Sequence, residues 1–317
     1  MKTRIDRIEK AIEDLARYNA TPGEGVTRFS YSEEDRQARE YLIGRMEEAG
    51  LAVHTDPLGN IFGLLEGASP SLPPVMTGSH IDTVLHGGKY DGVVGTVCAL
   101  EALQTIRESG SSPKRSLQMI VFVEEEGANF NSPLAGSKTL VGIHEPQKLK
   151  SFINDSGISM YDAAVSFGLD PAAMSEHLIH PGDIHAMLEV HVEQSIVLDR
   201  EQIPAGVVTG IAGMRWIRVR IEGEPNHAGA TPMVYRKDPM TGAAEVILEL
   251  EAAARSAYPT TVGTSAKVIC RPNIPNVIPE SVELFLDIRD VNTEGMEQVA
   301  KKVREKLDEV CGRRDLS

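Results

Sequence analysis

The stretch from Pro74 to Val123 constrains this chain most. A short apolar segment, Pro74 to Gly78, runs into a glycine-rich turn, residues from about Val93 to Glu108 repeat with a helical period, and Leu117 to Val123 is almost wholly apolar. Strands that read as continuous apolar runs are buried on both faces, and two of them joined through a helix run parallel. The pattern predicts the buried sheet of an α/β protein, where ligands gather beyond the carboxyl ends of the strands. Both predicted strand ends carry chemistry. The first opens T-G-S-H-I-D-T-V-L-H-G-G-K-Y-D-G, with His80, Asp82 and Asp91, and the second opens Glu124, Glu125, Glu126 and Gly127.

A neutral imidazole and hard carboxylates are what Zn²⁺, Mn²⁺ or Co²⁺ accept, so His80 and Asp91 are candidate ligands. Asp82, two residues beyond His80, is placed to orient its imidazole. Gly87 and Gly88 let the chain double back and bring Asp91 towards the histidine. Three adjacent carboxylates at a buried strand end repel one another, and a cation is the simplest thing that stabilises them. One of them could ligate while its neighbour, facing away along the strand, stays free to take a proton from water. The next predicted strand, Ala186 to Val192, ends in E-V-H-V-E-Q, where alternation sets Glu189, His191 and Glu193 to one side. The metal set is therefore His80, Asp91, Glu126 and His191. With Asp91 shared, two ions ~3.5–4 Å apart would polarise a carbonyl while Glu125 serves as base, which is metal-assisted hydrolysis of an amide-like bond. The plainer reading is a pair of polar loops whose acids only cap and turn.

Helical periodicity also covers Ile5 to Tyr18 and Glu33 to Ala49, the latter with Ser32 as N-cap and Gly50 as stop; strand-like runs follow at Leu51 to His54 and Ile61 to Leu65. Residues 146–176 read as helical covering structure. After Gly210 the pattern changes to strand Met214 to Glu222, helix from about Arg236 to Ser256, strands Thr264 to Cys270 and Ser281 to Ile288, and helix Thr293 to Val310. That order predicts a small antiparallel α+β domain, dividing the chain into 1–209 and 210–317. In it, His227 lies in the loop G-E-P-N-H-A-G-A-T-P-M, suited to hydrogen-bonding an oxyanion. Asn276 sits in the proline-rich R-P-N-I-P-N-V-I-P-E, and Arg289 near a strand end is a natural bidentate clamp for a carboxylate, a surface ion pair being its plainer role.

The 317 residues suffice for two cores. A net charge of −14 without a basic stripe argues against a nucleic-acid partner, since phosphates are held by clustered Lys and Arg. The amino-terminal stretch lacks the apolar core of a secretory leader, and no apolar run approaches the ~18 residues that span a bilayer. The expected location is cytoplasmic, away from membranes. Cys98, Cys270 and Cys311, odd in number and scattered, read as reduced thiols.

Taken together, G-S-H-I-D-T-V-x-x-G-G-x-Y-D-G, E-E-E-G, H-V-E-Q, H-A-G-A-T-P-M and P-N-V-I-P resemble the amidase/hydantoinase/carbamoylase branch of the di-zinc aminoacylase-like metallopeptidases, in order from about residue 5 to 310. This branch includes N-carbamoyl-L-amino-acid hydrolases, allantoate amidohydrolases and β-ureidopropionases. The resemblance implies a zinc-exopeptidase-like mixed sheet flanked by helices, with an inserted smaller α+β, ferredoxin-like dimerisation domain. It implies two divalent ions, Zn²⁺ or Mn²⁺, Co²⁺ or Ni²⁺, with His80, Asp91 (bridging), Glu126 and His191 as ligands and Glu125 as general base. Gln194, His227, Asn276 and Arg289 would bind a ureido or N-carbamoyl acid, His227 and Asn276 reaching the site of the partner subunit in a homodimer. Ser195 and Asn129 depart from the branch's usual Gly and Arg. Members of the branch continue past the point where this sequence stops and supply a last metal-binding His there. The resemblance therefore implies that this chain binds one ion better than two and turns over weakly. An aminoacylase or dipeptidase, and an inactive dimeric remnant, are the competing readings.

Overall fold

The computed structural model describes residues 2–317, and the chain divides into two units, Met1–Gln202 and Ile203–Ser317. The division falls ahead of the expected 209/210 boundary, at the start of a stretch, 203–212, that forms no helix or strand.

In unit 1, α1 (Ile5–Leu15) buries Ala11, Ile12 and Leu15. α2 (Glu33–Glu48) starts where Ser32 Oγ accepts the Asp35 N–H, and stops before Gly50, whose φ of 73° only glycine adopts freely. β1 (Ala52–Thr55), β2 (Ile61–Leu65), β3 (Val75–His80), α3 (Val93–Glu108) and β4 (Leu117–Phe122) follow in that order. Short helices α4 (Ala135–Leu140), α5 (Pro146–Leu149) and α6 (Met160–Phe167) lead to β5 (Ala186–Leu188) and α7 (Val197–Glu201).

The sheet order is β1-β2-β4-β3-β5. β3 pairs in parallel with β4 and with β5, whereas β1 and β2 join by antiparallel pairing, so the sheet is mixed as expected, with β4, β3 and the edge strand β5 as its parallel half. The βαβ unit β3-α3-β4 is the part that positions the site: its register sets His80 beside Phe122, so the turn after β3 and the acids after β4 leave the sheet at one end. α3 packs Val93, Val97, Leu100 and Leu103 with Leu42 and Met46 of α2 on one face of the sheet. At about 25 cal/mol per Å², a fully buried aliphatic side chain contributes roughly 1.5–3 kcal/mol.

The strand expected over 186–192 is a correction. β5 ends at Leu188, and residues 189–192 continue without strand pairing. Alternation does not govern them, and the three side chains part company. Glu189 accepts from Ser79 Oγ at 2.6 Å, His191 faces Asp91, and Glu193 Oε1 accepts the Val197 and Leu198 N–H groups at the start of α7.

Unit 2 comprises β6 (Gly213–Glu222), β7 (Asn226–His227), α8 (Pro239–Ser256), β8 (Val262–Arg271), β9 (Val277–Ile278), β10 (Ser281–Asp290) and α9 (Thr293–Arg314). β10 lies between β6 and β8, both antiparallel to it, while β7 and β9 form a separate ribbon. Val219 and Ile221 of β6, Val282, Leu284, Leu286 and Ile288 of β10 and one face each of α8 and α9 form its core, and Arg218, Arg220 and Glu222 alternate out to solvent as their sequence predicts. Among the described residues the cysteines are unpaired, and no helix is long and apolar enough to cross a membrane.

Candidate metal centre

His80, the last residue of β3, is 2% exposed in its side chain. Its Nδ1 lies 2.9 Å from the Asp82 carbonyl, which can only accept, so the proton sits on Nδ1 and the Nε2 lone pair is free. His191 is fixed in the same tautomer by the Val192 carbonyl at 2.9 Å. The two Nε2 atoms face one carboxylate oxygen, Asp91 Oδ1, at 3.9 Å from His80 and 3.3 Å from His191. Two donors 2.0–2.1 Å from a tetrahedral ion lie about 3.4 Å apart, so the spacing is that of a ligand set. His80, Asp91 and His191 offer ligand atoms within 4.8 Å of one another.

Two observations test this fit. Asp91 Oδ1 is buried and has no hydrogen-bond partner, a cost of roughly 1–3 kcal/mol that a cation would remove. Gly92 has φ 64°, and a Cβ there would lie 2.4 Å from His80 Nε2, so only glycine leaves the imidazole room to face a ligand. The residues fit a divalent cation.

Asp82 does more than the sequence suggests, and by different atoms. It holds His80 through its backbone carbonyl, while its carboxylate accepts Glu125 N–H at 3.2 Å and Glu126 N–H at 3.1 Å. One buried residue thus joins the histidine turn to the acid turn. Glu125 Oε2 lies 3.5 Å from His80 Nε2. Glu126 is not among the three side chains that converge, although His80 and Asp91 are close enough to shift its titration. Gln194 donates from Nε2 to Asp91 Oδ2 at 2.9 Å, so the expected substrate amide partner rests on the carboxylate expected to bridge.

Burial raises Glu125 and Asp82 above the usual carboxylate range, with Asp82 adding to the rise at Glu125 and His80 opposing both. Burial also pushes Glu126 up to about 7, reinforced by Asp91 and Glu125 and opposed by His80. Glu124 likewise reaches about 7, through burial and the nearby Asp82, against the Phe130 and Asn129 N–H groups that donate to its carboxylate. For His80, burial favours the neutral form but Asp82 and Glu125 outweigh it and raise its pKa. A cluster in which acids resist ionisation and an imidazole resists neutrality lacks positive charge, which a metal ion supplies.

In unit 2 the β7–β9 ribbon brings two expected residues together: Ala228 N–H donates to the Asn276 carbonyl, next to His227. His227 Nδ1 accepts N–H groups from Gly229 and Ala230, both at 3.1 Å, which leaves its proton on Nε2, aimed outward as a donor. Arg289 makes the ion pair that was its plainer role, with Asp287 at 2.8 Å. A cavity of about 200 Å³ in unit 1, lined by residues including His54, Phe62, Met76 and His177, contains none of these candidates.

Fold and site together define a two-unit α/β protein with a candidate divalent-metal centre at the carboxyl ends of its parallel strands. The model of peptidase family M20/M25/M40 matches residues 76–309, and the chain belongs to that family, whose members are metal-dependent. It is 41% identical over 314 residues to an N-carbamoyl-L-amino-acid amidohydrolase of Pseudomonas sp. (strain NS671), covering 98% of this chain and 76% of that protein. It is 36% identical over 300 residues to an allantoate amidohydrolase of Bacillus subtilis (strain 168), covering 95% and 72%. The crystal structure of a hydantoinase/carbamoylase family amidase from Burkholderia ambifaria superposes with a TM-score of 0.88 at 30% identity, covering 100% of this chain and 77% of that one.

Proposed function

We propose that this chain is a metal-dependent amidohydrolase that cleaves the carbamoyl amide bond of N-carbamoyl-L-amino acids or related ureido acids such as allantoate, releasing ammonia and CO₂. The observation that carries this reading is the buried, unpartnered Asp91 Oδ1 facing two imidazoles whose Nε2 lone pairs are free. The relatives named above act on substrates of this class.

His80, Asp91 and His191 would hold a divalent cation, which would supply Lewis acidity towards the carbamoyl carbonyl. Glu125, raised by burial and 3.5 Å from His80, takes a proton from the attacking water at Oε2 and returns it to the leaving nitrogen. Asp82 holds the Glu125 backbone in place. A second ion would be held by Asp91 and Glu126 and, with fewer ligands than the first among the described residues, would bind more weakly. Zn²⁺, Mn²⁺, Co²⁺ and Ni²⁺ all suit these N/O donors. The catalytic role belongs to unit 1. Unit 2 forms a homodimer in which His227, through Nε2–H for the developing oxyanion, and Asn276 serve the site of the partner subunit, while Arg289 binds substrate by exchanging Asp287 for the substrate carboxylate. Gln194 binds substrate once it leaves Asp91.

The test is a side-by-side assay of N-carbamoyl-L-amino acids, allantoate and β-ureidopropionate with protein loaded with Mn²⁺ or Zn²⁺. Ammonia release from at least one is expected. Stoichiometric metal binding with no release from any of them would remove the carbamoyl-amide reading.

A further inference from the structure

Residues 26–30 form no regular element, yet they run between the two turns that carry the candidate centre. On one side Arg28 exchanges backbone and side-chain bonds with Thr83: Arg28 N–H donates to Thr83 Oγ1 at 2.9 Å, and Thr83 N–H to the Arg28 carbonyl at 3.0 Å. The Arg28 guanidinium, 1% exposed, donates from Nε to the Ile81 carbonyl at 2.8 Å, between His80 and Asp82, and from Nη1 to the Leu15 and Tyr18 carbonyls at the end of α1. On the other side Ser30 Oγ accepts Glu124 N–H at 3.0 Å, and the Ser30 carbonyl accepts from Asn129 Nδ2 at 2.9 Å. Glu124 sits at φ 49°, a left-handed conformation that a glutamate holds only when its surroundings over-determine it. A fully buried guanidinium spent on carbonyls, in place of a carboxylate, is expensive to maintain. Its position beside the metal-facing turn gives that expense a purpose.

We propose that Arg28 and Ser30 are positioning residues that set the spacing between the His80–Asp91 turn and the Glu124–Glu126 turn, Arg28 acting through the Ile81 carbonyl and Ser30 through the Glu124 amide. This rests on the metal-centre reading given above for its consequence, and on geometry alone for its mechanism. Because the two contacts are separable, each variant loosens its own turn. Ser30→Thr keeps the hydroxyl and Ser30→Ala loses it. Arg28→Lys keeps the charge but not the planar fork that reaches three carbonyls.

Two readouts on the full chain separate the possibilities. Amide hydrogen exchange on metal-free protein is expected to show faster exchange at 123–126 in Ser30→Ala, restored in Ser30→Thr, and at 81–87 in Arg28→Lys, with α8 and α9 unchanged. Titration with Mn²⁺ alone is expected to show affinity lowered about 10- to 100-fold in Ser30→Ala and Arg28→Lys, the size seen when groups that orient ligands are lost. Parental exchange at both turns in the two variants overturns the proposal whether or not metal binds. So does locally faster exchange with Mn²⁺ affinity within twofold of the parent. A parent that binds no Mn²⁺ defeats the metal-centre reading instead, and the exchange arm still decides whether Arg28 and Ser30 hold the turns.

Discussion

His80, Asp91 and His191 could be picked out of the sequence because each pairs a ligating side chain with a strand end or glycine turn. Their tautomers could not, since both depend on carbonyls whose direction only the folded backbone defines. The same holds for Asp82, whose carboxylate meets two amides 43 and 44 residues away. Gly92 follows Asp91 in the motif, but nothing in the sequence marks its close approach to His80. Gly92→Ala places a Cβ against Nε2 in a left-handed conformation costing about 1–2 kcal/mol, so metal affinity should fall at least tenfold in a calorimetric titration. Parental affinity would show that the imidazole does not need that space. Glu125→Gln should lower kcat by about 10²- to 10⁴-fold with metal affinity within a few-fold of the parent, the pattern of a lost base. A matching loss of metal would make Glu125 a ligand instead.

At the scale of elements, local periodicity recovered α2, α3 and β2 nearly residue for residue, because capping, stop glycines and apolar spacing are all nearby in sequence. It overextended β5, which ends at Leu188 opposite Thr77 although β3 runs on to His80. It missed α4, which begins at Ala135 after Leu134 at φ 62° and has no side-chain cap; its entry is built from N–H groups of residues 134–136 bonded back to carbonyls of 123–125. That long-range pairing fixes the acid turn, and the turn has a testable pH signature. Glu124 and Glu126 titrate near 7 in the folded, metal-free protein against 4.5 for an ordinary glutamate. The folded state then binds more protons than the unfolded state between those values, so this contribution to stability is lost as pH rises from about 4.5 to about 7. Thermal melts of chelator-treated protein should show a downward slope of Tm over that window, flattened in the Glu124→Gln/Glu126→Gln double variant. An equal slope in both would remove these two residues as its source. Metal affinity should rise over the same window, since protons compete for Glu126.

Each unit has its own core, and each core was predictable from apolar spacing, whereas the β7–β9 ribbon that sets His227 beside Asn276 was not, being only two residues long on each side. Leu284, fully buried at the centre of the unit 2 sheet, should cost about 2–5 kcal/mol when changed to Ala, read by denaturant unfolding. A loss under 1 kcal/mol would mean that the site collapses around the cavity. The net charge of −14 gives the molecule a field that attracts divalent cations nonspecifically, so a metal centre must be distinguished from a carboxylate surface by site-specific loss. The direct measurement is calorimetric titration of the metal-free full chain with Zn²⁺ or Mn²⁺, comparing the parent, His191→Ala, and His185→Ala as an exposed histidine outside the centre. The parent and His185→Ala should bind one ion tightly at His80, Asp91 and His191, and His191→Ala should bind it at least 100-fold more weakly. Equal affinity in all three would contradict the metal centre.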